Sequence, residues 1–233
     1  MRTLTAIVCA YNEEENIRSI LFSLSTISLI NELIVVNDGS QDKTREIIKS
    51  LKAIIDFKDI HYAKNMGKGY ALAKGVEISQ SEFLVFIDAD LKNLTYDHIH
   101  QLVKPVFDET VDMVLGQATD TRINYNINPF KVFSGQRALK KEDIIPVLDR
   151  IKPSRFGVET IINLHYKATN KSIRYVNLYH LKHPTKFDKT NFGIAFKEFM
   201  MAGHQIFSTA FNNIDLVSKI IKNSFSNNLN IHV

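Results

Sequence analysis

The sequence predicts an α/β protein with a mostly parallel central sheet and helices on both faces. In the first half, short apolar runs of strand length alternate with amphipathic helical patterns, and this alternation implies right-handed crossovers between neighbouring parallel strands. The composition agrees, because 45% of the 233 residues are hydrophobic and 23% are charged. A chain of this length and composition can bury a sizeable core, so a disordered or fibrous protein is excluded.

Periodicity places the elements of the first half. Four β-branched apolar runs have the length of buried strands, at residues 4–9, 33–36, 83–87 and 111–115. Amphipathic patterns with apolar residues at helical spacing predict helices at residues 13–24, 43–54, 68–78 and 95–107.

The rhythm changes after residue 129. We expect helices over 142–151 and 158–169, a strand over 173–178, and one or two long helices over 191–225. Charged residues and a glycine interrupt the last segment, so it cannot span a bilayer. Its apolar face leaves two alternatives open, an interfacial or partner-binding helix and a helix packed against the body of the chain.

Charge is distributed unevenly along the chain. Residues 1–129 carry 13 basic and 18 acidic residues, and residues 130–190 carry 13 basic and 5 acidic ones. A basic segment in an otherwise acidic protein predicts a positive surface beside an anionic partner. A nucleic-acid partner is not expected, because no nucleic-acid-binding module accompanies these residues.

The N-terminus and the cysteine content indicate the compartment. The apolar run that ends at Tyr11 is too short for a signal peptide core. The single cysteine, Cys9, can form neither an internal disulfide nor a thiolate zinc cluster. We therefore expect a cytoplasmic protein, or one held peripherally at the inner face of the membrane.

Polar residues follow three of the predicted strands, at 10–14, 37–40 and 88–90. In α/β sheets, ligands bind outside the carboxyl ends of the strands, so these clusters are candidate site residues. Each cluster alone is also what a turn with a helix cap requires.

Asp88 and Asp90 form the strongest of these clusters. Two carboxylates that flank a small residue at the end of a buried strand repel each other unless a cation is present, which favours Mg²⁺ or Mn²⁺ bound to a diphosphate. The alternative is a pair of exposed loop acids. Before the third helix, Gly67, Lys68 and Gly69 would let the backbone and a positive charge approach a phosphate. The spacing is not that of a P-loop, and no GxGxxG follows a strand.

Together these motifs resemble the family-2 type of nucleotide-sugar glycosyltransferases with the GT-A fold. The resemblance rests on AYNEEENI (10–17), VNDGSQDKT (36–44), NMGKG (65–69) and DAD (88–90), and it covers residues 3 to about 120. It implies that the donor nucleotide is held by Ala10, Tyr11, Glu13, Asp38, Lys68, Asp88 and Ala89. It also implies that Asp88 and Asp90 bind the metal diphosphate.

The second half resembles two relatives over short stretches. SGQRAL (134–139) is similar to the SGFRA stretch of polyprenyl-phosphate sugar transferases, with Gln136 in place of the aromatic residue. RFGVE (155–159), followed by VNL (176–178) and His183, is similar to a segment of glucosyl-3-phosphoglycerate synthases. That similarity implies that Glu159 is an acceptor-side carboxylate and His183 a metal ligand.

Each of these residues also has a structural alternative. Arg137 suits bidentate contact with a phosphate, or it is a surface charge. Glu159 is the base for an acceptor hydroxyl, or it favours the dipole of its helix. His183 is a metal ligand or a surface residue, and His180 is a second candidate ligand.

We therefore expect a metal-dependent hexosyltransferase with Asp90, Glu159 and Arg137 as its catalytic residues. Its donor would be of the UDP-glucose or GDP-mannose class. Its acceptor would be anionic, with a polyprenyl phosphate or another membrane lipid first and a small phosphorylated acid second. A non-catalytic nucleotide-sugar-binding protein and a nucleotidylyltransferase are the rival classes, and a homodimer is left open.

The predicted transferase domain covers residues 1–189, with a donor half at 1–129 and an acceptor half at 130–189. A helical extension would follow at 190–233.

Overall fold

The computed structural model describes residues 2–120, 134–155, 157–182, 203 and 207–229. Seven strands form one sheet. In chain order they are β1 (Leu4–Ala10), β2 (Glu32–Asn37), β3 (Lys58–His61), β4 (Phe83–Asp88), β5 (Met113–Asp120), β6 (Arg137–Lys140) and β7 (Ile173–Lys182).

Eight α-helices connect or follow these strands among the described residues. They are α1 (Ile17–Ser25), α2 (Thr44–Leu51), α3 (Lys68–Ile78), α4 (Tyr96–Phe107), α5 (Lys141–Ile144), α6 (Leu148–Ile151), α7 (Val158–Ala168) and α8 (Ile214–Leu229). Residues 207–212 form a further helical segment before α8.

The strand order is β3-β2-β1-β4-β6-β5-β7. The β1–β2, β1–β4, β2–β3 and β5–β7 pairs are parallel, and β6 runs antiparallel to both β4 and β5. The chain leaves β1 toward β2 on one side and returns to β4 on the other. The carboxyl ends of β1 and β4 therefore form a topological switch point, where a ligand crevice opens in such sheets.

Both faces of the sheet are buried, because side chains alternate along each strand. Leu33 and Val35 of β2 pack into an apolar cluster with α1, α2 and α4, while Ile34 and Val36 pack into a second cluster with α3, α6 and α7. This confirms the predicted α/β architecture with helices on both sides.

Two strands were not predicted. β3 contains Ile60 as its only strongly apolar residue and lies at the edge of the sheet. β6 begins with Arg137, although it lies inside the sheet between β4 and β5. Neither strand has the apolar run on which the prediction relied.

The predicted helix over 142–151 is also wrong as a continuous element. Pro146 lies in a 3₁₀ turn (Ile145–Val147) between α5 and α6, and Pro153 lies in a second one (Lys152–Ser154) after α6. Proline has no backbone N–H and its ring clashes with the preceding turn, so this segment folds as short pieces.

The C-terminal helix packs against the body of the chain. Leu216 is buried, the Asp215 carboxylate pairs with Arg150 at 2.8 Å, and Asn223 donates to the carbonyl of Ala168. Phe207 and Phe211 of the preceding helical segment and Ile214 at the start of α8 are exposed. Residues 183–202, which hold the predicted domain boundary and the first part of the predicted 191–225 helices, lie outside the described residues. No helix in the described ranges is long and apolar enough to cross a membrane.

Three lysines of the basic segment form ion pairs with the acidic half. Nζ of Lys140, Lys152 and Lys171 lies 3.1, 2.8 and 3.5 Å from carboxylate oxygens of Glu109, Glu77 and Asp112, respectively. Folding therefore brings these parts of the two oppositely charged segments together, and the expected positive surface beside an anionic partner stays a prediction.

Candidate active site

A cavity of about 390 Å³ opens at the carboxyl ends of β1, β2 and β4. Nine of the eleven candidate site residues line it: Ala10, Tyr11, Glu13, Asp38, Lys68, Asp88, Ala89, Asp90 and Glu159. The residues from the predicted donor half and Glu159 from the predicted acceptor half thus meet at the switch point of the sheet. Of the other two candidates, Arg137 is not among the lining residues, and His183 lies outside the described residues.

The loops that follow β1 and β2 are joined by hydrogen bonds in both directions. The N–H of Asn12 donates to Oγ of Ser40, and Oδ1 of Asn12 accepts from the N–H of Gln41, both at 2.9 Å. The N–H of Lys43 donates to Oε2 of Glu14 at 2.9 Å. These bonds hold the two polar loops together as one rim of the cavity, so the residues between them are fixed in place.

Asp38 shapes the loop before α3. Its side chain is almost completely buried, and its two carboxylate oxygens accept from the N–H groups of Met66 and Gly67, each at 2.8 Å. Gly67 has a φ of +99°, a conformation that L-residues rarely adopt. Asp38 therefore sets the path of the backbone into Lys68, and its expected contact with a nucleoside stays a prediction.

Lys68 links two of the predicted carboxylates. Its ammonium nitrogen lies 2.8 Å from Oδ1 of Asp88 and 2.7 Å from Oε1 of Glu159. Burial alone would lower the pKa of Lys68, but the two negative charges outweigh it and raise the pKa above its ordinary value. Lys68 therefore stays charged at neutral pH and holds the β4 end and the α7 start together.

Asp88 is also held from a direction that the sequence did not reveal. Nε2 of Gln136 donates to Oδ2 of Asp88 at 2.7 Å, and Oε1 of Gln136 accepts from Oγ of Ser134 at 2.6 Å. A Cβ on Gly135 would lie 2.2 Å from Oδ2 of Asp88, so this position has no room for a side chain. The departure from the SGFRA pattern at Gln136 was the available signal, because an amide there can bond a carboxylate and an aromatic ring cannot.

Arg137 lies beneath the site. It is 1% exposed, its Nη2 donates to the carbonyl of Ser134 at 2.7 Å, and its Nη1 donates to Oδ1 of Asn163 at 3.3 Å. Burial lowers the pKa of Arg137, and the negative charges of Glu159 and Asp88 partly offset that effect. The surface-charge alternative is wrong, because the Arg137 side chain is buried, and the expected contact of Arg137 with a phosphate stays a prediction.

The negative charge at the mouth of the cavity is concentrated. Burial raises the pKa of Glu13, and the nearby carboxylates of Asp90 and Asp88 add to this rise, whereas a hydrogen bond from Asn16 opposes it. Such an excess of negative charge favours a bound cation. Tyr11 is 43% exposed at the rim, where an aromatic ring can contact a ligand.

The carboxylates fit a divalent cation that a ligand helps to coordinate. No group of three or more His, Cys, Asp or Glu side chains able to hold a metal ion occurs among the described residues, and His183 lies outside them. Asp88 accepts from Lys68 and Gln136. Asp88 and Asp90 are the carboxylates that could hold such a cation, because Mg²⁺ is often bound through one or two carboxylates together with substrate phosphates.

Three further residues line the cavity without having been predicted as site residues: Cys9, Asn65 and Gly67. Asn65 and Gly67 belong to the NMGKG motif, so their position in the sequence was a sufficient signal. Cys9 is the penultimate residue of β1, and this position brings it to the cavity. Burial raises the pKa of the Cys9 thiol to about 12, and the charge of Lys68 partly opposes this rise.

Comparison with known proteins places this arrangement among glycosyltransferases. Glucosyl-3-phosphoglycerate synthase from Mycobacterium tuberculosis superposes with a TM-score of 0.70 over 91% of this chain and 79% of that chain, at 21% identity. This similarity shows a shared GT-A fold.

Two curated relatives are similar in sequence over part of their length. The glycosyltransferase sll0501 from Synechocystis is 34% identical over 105 residues, which is 43% of this chain and 33% of that protein. The 4,4'-diaponeurosporenoate glycosyltransferase from Staphylococcus aureus is 34% identical over 103 residues, which is 44% of this chain and 28% of that protein. The chain therefore spans well under two thirds of these relatives. The family model of glycosyl transferase family 2 matches residues 5–203, which include every element around the cavity, and the chain accordingly belongs to glycosyl transferase family 2.

Proposed function

We propose that this protein transfers a hexosyl group from a nucleoside diphosphate sugar to an anionic acceptor with the help of Mg²⁺ or Mn²⁺. The observation that carries the proposal is the meeting of Asp90, Lys68 and Glu159 in one cavity at the switch point of the sheet. The solved structure of the M. tuberculosis enzyme, which contains Mn²⁺, UDP and glucosyl-3-phosphoglycerate, supports a donor of this class.

In this proposal the residues of the chain divide the work between donor and acceptor. Tyr11, Glu13 and Asp38 with its loop form the nucleoside end of the cavity. Asp90 and the donor phosphates would hold the cation, which when bound neutralises negative charge on the departing diphosphate. Preorganised charge at the leaving group is the largest contribution that such a site can make to the rate.

Glu159 occupies the acceptor side. It is 9% exposed and its carboxylate is held by Lys68, so its orientation is fixed relative to Asp88. A carboxylate in this place can accept the proton of the attacking acceptor hydroxyl. Lys68 acts as the positioning residue, because it contacts both carboxylates and keeps them from repelling each other.

Two sources of an anionic acceptor fit the chain. A small phosphorylated acid is supported by the structural similarity to an enzyme solved with phosphoglyceric acid. A polyprenyl phosphate is supported by the exposed Phe207, Phe211 and Ile214, which give the C-terminal helical segment an apolar side that can contact lipid. Both acceptors carry a phosphate group.

The test is donor binding and turnover with an isosteric variant of Asp90. Thermal unfolding is measured with UDP-glucose and GDP-mannose, with and without Mn²⁺, because a ligand that binds the folded state raises the apparent stability. We expect one donor to raise the Tm only when Mn²⁺ is present, and Asp90→Asn to lose this metal-dependent rise. Asp97→Asn, an exposed carboxylate in the first turn of α4, is the matched control.

The same assay separates the rival classes. Labelled donor that is hydrolysed or transferred supports a glycosyltransferase. A donor that binds but is neither hydrolysed nor transferred to any tested acceptor would instead indicate a binding protein. Consumption of an NTP together with a sugar phosphate would indicate a nucleotidylyltransferase. An unchanged metal-dependent rise in Asp90→Asn would remove Asp90 from the cation site.

A further inference from the structure

A second cavity, of about 640 Å³, lies on the α7 side of the fold. Its walls come from α6 and the 3₁₀ turn after it, from the start of α7 and from the helical segment before α8. The lining residues are Asp149, Arg150, Pro153, Ser154, Arg155, Gly157, Ile161, Ser208, Thr209, Asn212 and Asn213. Polar and apolar groups line it in about equal parts, with hydroxyl groups of Ser154, Ser208 and Thr209 and the amide of Asn212 beside the apolar Ile161. Such a surface suits a ligand that has both polar groups and an apolar part.

Arg155 joins this cavity to the donor cavity. Its side chain lines the second cavity, and its carbonyl accepts from the N–H of Gly69 at 2.9 Å. A Cβ added at Gly67, which lines the donor cavity, would lie 2.9 Å from Cγ of Arg155. The Arg155 backbone and side-chain stem therefore form part of the wall between the two cavities.

The backbone of Arg155 is in a conformation that favours glycine. Its φ is 50° and its ψ is −102°, a combination that a side chain destabilises. Strained residues of this kind cluster at functional sites, where the surrounding structure keeps them in place. Arginine at this position is therefore less stable than glycine would be. A ligand contact of its guanidinium would account for an arginine here despite that cost.

The guanidinium of Arg155 is available for a ligand. It is exposed and makes no ion pair with any described residue, whereas Arg150 in the same cavity is paired with Asp215 through two hydrogen bonds. A guanidinium offers a planar set of donors that matches a phosphate or carboxylate group.

We propose that the second cavity is the acceptor subsite and that Arg155 binds the anionic group of the acceptor there. The inference rests on the proposed glycosyl transfer. Arg155 adjoins Gly67, which lines the donor cavity together with Glu159, so an acceptor held at Arg155 lies beside the donor cavity. The phosphate of a small acid and the phosphate of a lipid offer the same chemistry to Arg155. The hydroxyl and amide groups around it would bind the remaining polar part of the acceptor.

The experiment compares Arg155→Gln and Arg155→Gly with Arg174→Gln, which removes an exposed arginine of β7 away from both cavities. Titration calorimetry measures the Kd of 3-phosphoglycerate, and sedimentation measures binding to neutral vesicles with and without polyprenyl phosphate. We expect both Arg155 variants to weaken binding of one phosphate probe by roughly tenfold or more. Donor affinity should stay within about twofold, and Arg174→Gln should bind both ligands as the wild type does.

Arg155→Gly also tests the strain directly. Its Tm should not fall below that of the wild type, so weaker probe binding cannot be assigned to unfolding. The inference is overturned if the Arg155 variants bind both probes normally, if the wild type binds neither, or if donor affinity falls by the same factor as probe affinity. A wild type that binds no nucleotide sugar would instead overturn the proposed function, so the two failures are distinguishable.

Discussion

Replacing Lys68 by methionine tests how the candidate site is held together. The methionine keeps most of the side-chain length and removes the charge. Because Nζ contacts Asp88 at 2.8 Å and Glu159 at 2.7 Å, the two carboxylate oxygens lie no more than about 5.5 Å apart. Without the ammonium group the two carboxylates face each other in a partly solvent-exposed cavity.

The expected magnitude follows from that distance. Two unit charges 5.5 Å apart repel by about 3 kcal/mol at an effective dielectric constant of about 20. The side chains of Asp88 and Glu159 are 18% and 12% exposed, so solvent screens part of this repulsion. We expect the free energy of unfolding to fall by about 2 kcal/mol at pH 8, close to the lower end of losses for broken buried ion pairs.

The charge on Lys68 is present throughout the neutral range. In the wild type, the raised pKa of Lys68 means that its stabilisation is fully present below the unfolded value of 10.5 and is lost only as the pH rises through the folded-state pKa. The ammonium group therefore does not titrate between pH 5 and 8, and pH 8 is a suitable condition for the comparison.

Urea denaturation at pH 8 measures this loss. Lys74→Met is the matched control, because Lys74 forms an ion pair with Glu77 on the surface of the same helix, and such exposed pairs contribute about 1 kcal/mol or less. The reasoning is refuted if Lys68→Met is no less stable than Lys74→Met at pH 8.

Two further predictions concern the floor of the cavity. Gly135→Ala should displace the Asp88 carboxylate and lower kcat/KM on the order of a hundredfold. Gly203→Ala is the control and should have no effect, because its added methyl group meets no described atom within 4 Å. Equal kinetics for the two variants would contradict the clash at Gly135. Burial raises the pKa of the Cys9 thiol to about 12, against an ordinary value of 9.0. The thiol should therefore react with iodoacetamide at pH 8 roughly a thousandfold more slowly in the native protein than in urea. Mass spectrometry measures the labelling, and rapid labelling of the native protein would refute the raised pKa.

Local signals were sufficient for the donor half of the site. The apolar runs predicted β1, β2 and β4, whose carboxyl ends meet because the strands are parallel neighbours. Once those strands are placed, the polar residues that follow them must share one edge of the sheet. This is why Asp38, Lys68 and Asp90 were predicted together and lie around one cavity.

The second half depends on pairings that leave little trace in local sequence. β6 inserts antiparallel between β4 and β5, and that insertion brings Gln136 to Asp88 and buries Arg137. The contact between Gly67 and Arg155 joins residues far apart in the chain. Periodicity reports only whether a segment has an apolar face, so it cannot predict which distant segment covers that face.

The sequence by itself determined the α/β class, the edge of the sheet that carries the site, and the acidic and basic residues of the donor cavity, because strand length and the residues after each strand are local properties. The tertiary structure alone decided that Lys68 bridges Asp88 and Glu159, that Gln136 holds Asp88, and that Arg137 is buried while Arg155 is exposed beside a second cavity. Hydrogen bonding and burial depend on which segments pack together, and that packing is a property of the whole fold.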